Sequence, residues 1–186
     1  MIETIFYLIF PSTFGTFSIV WRKTTEGLKI IRILLPHPQI SSGELIRSYF
    51  KNSRSDSDSN IDQLGKQIQD FLGGEEVKFE LNLLDWEICS KFQQAVLLAE
   101  YAIPRGWVSS YGRIAQHLKI KRAARAVGRA LASNPFPIII PCHRTIRSDG
   151  QLGGYQGGLE MKRALLELEG LKVSETGKVL TPRMYY

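Results

Sequence analysis

The chain has 186 residues, of which 44% are hydrophobic, and a net charge of +6. This length and apolar content fit one or two globular domains and exclude a disordered or fibrous chain. Two cysteines, Cys89 and Cys142, exclude a disulfide scaffold, and three scattered histidines lack the paired spacing of a zinc site. We therefore expect an intracellular, cytoplasmic protein that needs neither a metal nor a cofactor.

The first half of the sequence predicts a small domain of strands and helices over residues 1–84. Its first apolar run is too short to cross a membrane and follows Glu3 rather than a basic flank, so we expect a buried strand and not a signal peptide. The polar stretch 52–60 predicts a mobile loop. The predicted elements are strands at 5–10, 17–21, 28–35 and 77–81, with the second and third forming a hairpin, and helices at 42–50, capped by Ser41, and 61–72.

The second half predicts a mainly helical domain over residues 85–170, followed by a tail over 171–186 for which the sequence indicates no structure. Two short helices joined by a tight turn, the second rich in basic and small residues, predict a helix-turn-helix. The predicted elements are helices through 92–103, from Ser110 to Leu118, over 122–132 and over 159–169, ended by Gly170, and a buried segment at 136–140. The whole chain is thus predicted to be α+β.

The positive charge is concentrated in the second half. Between Glu100 and Asp149 lie 48 residues with nine basic side chains and no acidic one. Ordinary protein surfaces mix both signs, so this stretch indicates a polyanionic partner, nucleic acid before membrane.

Cys142 and His143 are adjacent and form the candidate reactive site. A neighbouring imidazole can take the thiol proton, and the nearby Arg144 and Arg147 are expected to favour the thiolate. Cys89 is assigned to packing, the ordinary role of a buried free cysteine.

Five motifs make residues 85–170 resemble the O6-alkylguanine-DNA alkyltransferases. They occur in the order and spacing of that family, whereas the first half matches only the character of its variable, ribonuclease-H-like domain. The motifs are Ser110-Tyr111-Gly112, Arg125-Ala126-Val127-Gly128 with Asn134-Pro135, Ile140-Pro141-Cys142-His143-Arg144, Gly153-Gly154-Tyr155 with Lys162, and Leu165-Leu166 with Glu169-Gly170.

The resemblance implies a suicide repair protein that acts once. Cys142 would accept the alkyl group from guanine O6, and also from thymine O4, in DNA and keep it. His143 would serve as the base through a water, Glu169 would hold His143, and Asn134 would brace the active-site turn.

The resemblance also implies how the protein would bind double-stranded DNA, as a monomer and through the minor groove. The lesion base would be flipped out of the duplex, with Tyr111 crowding its phosphate and Arg125 filling the vacated space. The implied small-residue face in the groove is Ala123, Ala124, Ala126 and Gly128. The implied base pocket is Pro137, Thr145, Tyr155, Gln156 and Gly157, with backbone groups of Cys142, Thr145 and Gln156 at the base edge.

The chain departs from the family at two pocket positions. Thr145 stands where Val is usual and Gln156 where Ser is usual. Only backbone contacts are implied at both, so neither change touches the Cys-His-Glu set.

Three other functions are compatible with parts of this pattern. A non-catalytic relative that only binds alkylated bases would carry Trp in place of Cys142. A Cys-His hydrolase would need an oxyanion hole and would turn over repeatedly. A transcriptional regulator would explain the helix-turn-helix but not Cys142 beside His143.

Overall fold

The computed structural model describes residues 4–37 and 39–186 and shows a mixed α+β protein. Glu3 and the start of the first predicted domain lie outside the described residues. The chain divides into two compact units, one reaching to Ile88 and including residues 135–139, the other comprising residues 89–134 and 140–186. In the part of the chain described, no helix combines the length and apolar character needed to cross a membrane.

The first unit is a four-stranded sheet with two helices. The sheet order is β3-β2-β1-β4, in which β1, β2 and β3 are antiparallel neighbours and β4 is parallel to β1. Helix α2 approaches β1 closely at Gly65, where a Cβ would lie 2.2 Å from the Phe10 ring. The elements are β1 (Ile5–Phe10), β2 (Phe17–Thr24), β3 (Gly27–Leu34), α1 (Ser42–Tyr49), β4 (Arg54–Ser55) and α2 (Ser59–Leu72).

Several predictions for the first unit are confirmed. The hairpin of β2 and β3 forms, and Ser41 caps α1 through a capping box with Glu44. The predicted mobile loop at 52–60 is wrong in part, because Arg54 and Ser55 pair with β1 and α2 already begins at Ser59. The predicted strand at 77–81 is also wrong, since this stretch finds no strand to pair with among the described residues.

The second unit combines four helices with two short strand pairings, β5 with β6 and β7 with β8. Its core includes Val108, Ile146 and Leu166 together with Leu171 and Val179, so the residues of the predicted tail are part of this core. Helix α5 begins two residues later than predicted, because Arg122 adopts a left-handed conformation with φ of 56°. The elements are α3 (Lys91–Tyr101), β5 (Ser109–Ser110), α4 (Tyr111–His117), α5 (Ala124–Ala132), β6 (Thr145–Ile146), α6 (Gly158–Leu168), β7 (Lys172–Val173) and β8 (Val179–Leu180).

The segment 135–139 belongs to the first unit, where it lies beside β3. The Ile33 amide donates to the Pro135 carbonyl at 2.8 Å, and the Phe136 ring packs edge-on against Trp86. The segment is buried, as predicted. Ile138 within it has a φ of 76°, a strained conformation for a β-branched residue.

Candidate active site

Cys142 lies in the second unit, in a short 3₁₀ turn before β6, and faces a cavity of about 410 Å³. The side chain is 7% exposed, so only its edge reaches the cavity. The other lining residues come from α4, α5 and the glycine-rich loop before α6: Tyr111, Gly128, Leu131, Ala132, Gly154, Tyr155 and Gln156. A concave site around a buried thiol is the arrangement expected of a small-molecule or base pocket.

His143 and Glu169 form a fully buried pair. The His143 Nε2 lies 2.8 Å from Glu169 Oε1, which confirms the predicted contact between the two residues. Burial lowers the pKa of His143 despite the opposing effect of Glu169, so the imidazole is neutral at pH 7. A neutral ring that donates from Nε2 to the carboxylate carries its lone pair on Nδ1, where a proton can be accepted.

Arg144 clamps Glu169 from a second side. Its Nε donates to both carboxylate oxygens, at 3.1 and 3.0 Å, and its Nη2 donates to Oε1 at 2.8 Å. Its Nη1 donates to the Ile103 carbonyl at 2.6 Å. Burial alone would raise the pKa of Glu169, but the charge and hydrogen bonds of His143 and Arg144 lower it to about 2.

Helix α6 ends in a geometry that places Glu169 at this network. Gly170, with a φ of 82°, donates from its amide to the Glu167 carbonyl, and Leu171 donates to the Leu166 carbonyl. These two bonds form a Schellman motif, which the glycine after the predicted helix indicated. Glu169 therefore occupies the C-cap position, with its carboxylate fixed beside His143.

The expectation that Arg144 and Arg147 favour a thiolate is wrong. Arg144 is engaged by Glu169, and Arg147 pairs with Asp149 at 3.0 Å on the surface. Burial raises the pKa of Cys142 to about 12, so the resting residue is a thiol. A base must therefore take the proton before or during any reaction of this sulfur.

Asn134 braces the turn that holds Cys142. Its side-chain amide donates to the Ile140 carbonyl at 3.2 Å, and its hydrogen bond with the thiol lowers the pKa of Cys142 against the effect of burial. Gln156 continues the brace, donating to the Asn134 carbonyl at 2.7 Å. The side chain of Gln156 thus supports the turn, a contact that the sequence did not predict.

Tyr111, the first residue of α4, reaches the cavity and packs against two glycines. A Cβ on Gly153 would lie 3.0 Å from the Tyr111 hydroxyl, and a Cβ on Gly128 would lie 3.6 Å from the ring. Gly153 also has a φ of 69°, which side chains rarely adopt. The position of Tyr111 therefore requires glycine at Gly153, whereas a Cβ at Gly128 would make ordinary van der Waals contact with the ring.

Lys162 is a buried cation whose role the sequence did not assign. Its Nζ donates to the Thr145 carbonyl at 2.6 Å and reaches the Gly154 carbonyl at 3.4 Å. It therefore ties β6 to the glycine-rich loop on the far side of the cavity. The sequence feature that could have indicated this role is a lysine on an otherwise apolar helix face, where it would be buried and need partners.

The remaining predicted pocket and groove residues lie at different places. Pro137 is buried in segment 135–139 and is not among the residues lining the cavity, while Gly157 lies at the N-cap of α6. Ala124 and Arg125 are exposed on α5, Ala126 is half-buried, and Ala123 is buried at the start of that helix. Within residues 4–37 and 39–186, the Arg125 guanidinium has no hydrogen-bond or ion-pair partner.

The acid-free stretch forms a basic surface around α4 and α5. Arg144 is not part of it, because the side chain is buried against Glu169. A second cavity, of about 370 Å³, lies at the turn between the two helices and includes Lys119, Lys121, Arg122 and both Ala123 and Ala124 in its lining. The exposed cations of the stretch are Arg113, Lys119, Lys121, Arg122, Arg125, Arg129 and Arg147.

Residues 91–171 match the family model described as "6-O-methylguanine DNA methyltransferase, DNA binding domain". The chain is 34% identical to a methylated-DNA–protein-cysteine methyltransferase of Methanosarcina acetivorans over 165 residues, covering 89% of this chain and 98% of that relative. The chain belongs to the methylated-DNA–protein-cysteine methyltransferase family.

Two further comparisons agree with membership of this methyltransferase family. A relative from Methanothermobacter thermautotrophicus is 45% identical over 113 residues, which cover 61% of this chain and 63% of that relative, so the matched part spans less than two thirds of its length. The crystal structure of Mycobacterium tuberculosis OGT in complex with DNA superposes with a TM-score of 0.69 at 34% identity, covering 88% of this chain and 92% of that one.

Proposed function

We propose that this protein repairs DNA by moving the alkyl group from guanine O6, or thymine O4, irreversibly to the sulfur of its own Cys142. The observation that carries the proposal is the thiol of Cys142 at a cavity, next to the buried pair of His143 and Glu169. The names of the relatives and of the OGT complex with DNA support the same activity and the same partner.

The geometry supports a defined course for the proton. His143, neutral and oriented by Glu169, takes the proton of the Cys142 thiol through a water, and the imidazolium is stabilised by the carboxylate. The sulfur attacks the alkyl carbon, so a C–S bond forms as the bond between that carbon and O6 breaks. Guanine leaves with its electron pair and receives the proton from His143, and the base is restored.

A thioether is left on Cys142, and its C–S bond, unlike the ester or thioester of an acyl-enzyme, is not hydrolysed by water. The protein therefore acts once, which separates it from a Cys-His hydrolase, whose acyl-enzyme is released by water. The cavity also supports a base pocket, because the buried Tyr155 hydroxyl has no hydrogen-bond partner within residues 4–37 and 39–186.

For DNA binding, we propose that α4 and α5 act as a helix-turn-helix, with α5 in the minor groove of the duplex. The exposed small residue Ala124 and the half-buried Ala126 and Gly128 allow the backbone to approach closely, and the exposed Arg125 fills the space of the flipped base. Thr145, Tyr155, Gln156 and Gly157 remain the proposed surroundings of that base, whereas Pro137 stays a pocket residue implied by the family resemblance alone, since it belongs to the first unit. We further propose a cytoplasmic monomer whose first unit, with sheet order β3-β2-β1-β4, is ribonuclease-H-like.

The proposal is tested by titrating O6-methylguanine in duplex DNA with the wild type, Cys142→Ser and Cys89→Ser. The wild type and Cys89→Ser should remove one methyl group per protein and then stop. Cys142→Ser should remove none and still bind the DNA, since a hydroxyl fills the same space but is a poor nucleophile. Repeated turnover would favour the hydrolase, and activity that disappears with Cys89 would overturn the assignment of Cys142.

A further inference from the structure

Glu100 is a buried acid that the proposed mechanism does not use. It lies in the last turn of α3, is fully buried, and accepts a hydrogen bond from the Thr145 hydroxyl at its Oε2. The other carboxylate oxygen, Oε1, has no hydrogen-bond partner among the described residues. A buried carboxyl satisfied on one side only is costly, and it calls for an explanation.

Thr145 is held from two sides by groups of opposite charge. Glu100 binds its side-chain hydroxyl, and Lys162 binds its backbone carbonyl at 2.6 Å. Thr145 opens β6, directly after the turn that contains Cys142, and pairs with Ser109 of β5. The strand that leaves the nucleophile is therefore fixed by one acid from α3 and one base from α6.

Both charges also act on the nucleophile. Burial is the main reason that the pKa of Cys142 is high, and the charge of Glu100 raises this pKa further, whereas the charge of Lys162 lowers it. Burial brings the pKa of Glu100 up to about 7, against the hydrogen bond from Thr145 and the charges of Lys162 and Arg144. Glu100 consequently changes charge close to neutral pH.

We propose that Glu100 is a positioning residue of the transfer site, which fixes Thr145 through its hydroxyl and, when negatively charged, opposes ionisation of the Cys142 thiol. This inference rests on the proposed alkyl transfer for its biological meaning. The physical claim is that the negative charge of Glu100 opposes ionisation of the Cys142 thiol, and it applies to the reaction of Cys142 with any electrophile.

The other groups around Glu100 define what else titrates in this region. Burial lowers the pKa of Lys162 to about 8, so Lys162 loses its charge within the same range. The pKa values of Tyr111 and Tyr186 are raised, mainly by burial and in part by Glu100. Glu100 also raises the pKa of Lys162, so the comparison of the wild type with a Glu100 variant measures the charge of the carboxylate together with its effect on Lys162.

The test measures the rate at which iodoacetamide alkylates Cys142 between pH 6 and 9, followed by mass spectrometry of the Cys142 peptide. Glu100→Gln keeps the shape and the acceptor for Thr145 but removes the charge. The variant should match the wild type at pH 6 and react roughly three- to tenfold faster above pH 8, the result of lowering the thiol pKa by about half a unit to one unit. Glu80→Gln, which removes an exposed charge in the first unit, should match the wild type throughout.

A second variant covers the case in which Glu100→Gln does not fold. Thr145→Val removes the hydrogen bond that lowers the pKa of Glu100, so Glu100 ionises at higher pH. The pH at which Glu100 begins to slow the alkylation of Cys142 should rise with it. The proposal would be overturned if the ratio of the alkylation rates of variant and wild type were constant over the whole pH range, for either variant. Failure of the wild type to accept a methyl group from DNA would instead refute the proposed function and leave the iodoacetamide profiles to decide on Glu100.

Discussion

Replacing Glu169 with Gln should destabilise the protein in a manner that depends on pH. The carboxylate is buried and the pKa of Glu169 falls from 4.5 to about 2 on folding. Each unit of pKa is worth about 1.4 kcal/mol, so ionised Glu169 contributes about 3 kcal/mol to the free energy of unfolding. Because the folded pKa lies below the unfolded one, this contribution is present above pH 4.5 and disappears as the pH falls towards 2.

The assay is urea-induced unfolding of the wild type and Glu169→Gln, followed by circular dichroism at several pH values. The difference between the two proteins should be about 3 kcal/mol or more at pH 6, since Arg144 is also left buried without its charge partner. It should decrease by roughly 2 kcal/mol by pH 3. Glu160→Gln, at an exposed position of α6, serves as the control. A difference that is the same at pH 6 and pH 3 would show that the carboxylate is not held by charge, and would refute the buried network of His143, Arg144 and Glu169.

The other predictions concern DNA and the cavity. Arg125→Ala should slow transfer from duplex DNA at saturation by roughly ten- to hundredfold, because extrusion of the base costs a few kcal/mol. The reaction with free O6-benzylguanine should be unchanged. Equal reductions of the rate on both substrates would exclude the proposed role of Arg125 in filling the space of the flipped base. Replacing Lys119, Lys121 and Arg122 with Gln should reduce the slope of log affinity against log salt by roughly 0.9 for each phosphate that is no longer neutralised, and an unchanged slope would show that these cations do not bind DNA. Gly153→Ala should lower the free energy of unfolding by about 1–2 kcal/mol and slow transfer, because the new Cβ meets the Tyr111 hydroxyl. Adding Tyr111→Phe should recover part of the lost stability. No recovery would mean that the backbone alone is strained.

The local parts of the fold could be predicted because their causes are local. Ser41 and Ser110 cap helices that follow them directly, and Gly170 ends α6 through bonds to residues only a few positions away. The strand at 77–81 failed because a strand exists only when a partner is available, and pairing is set by distant residues. The left-handed conformation of Ile138 had no signal at all, since β-branched residues normally avoid it.

Only part of the candidate site could be predicted from the sequence, because several of its contacts join residues that are distant in the chain. Cys142 and His143 are adjacent in sequence, but the contact with Glu169 was indicated by the family resemblance and not by spacing. The charge of Arg144 was misjudged because sequence shows that a cation is near, not that it faces Glu169 instead of the thiol. Glu100 and Lys162 become recognisable only when three elements meet at Thr145. The domain bounds 1–84, 85–170 and 171–186 stay a prediction.

Cys142 as the final acceptor of the alkyl group is tested most directly by the intact mass of the protein. The mass is measured after incubation with an excess of duplex DNA containing O6-methylguanine, and the modified peptide is then mapped. We expect a gain of one CH₂ per chain, located on Cys142 and complete after one equivalent. An unchanged mass while the DNA loses its methyl groups, or a methyl group on Cys89, would contradict the assignment.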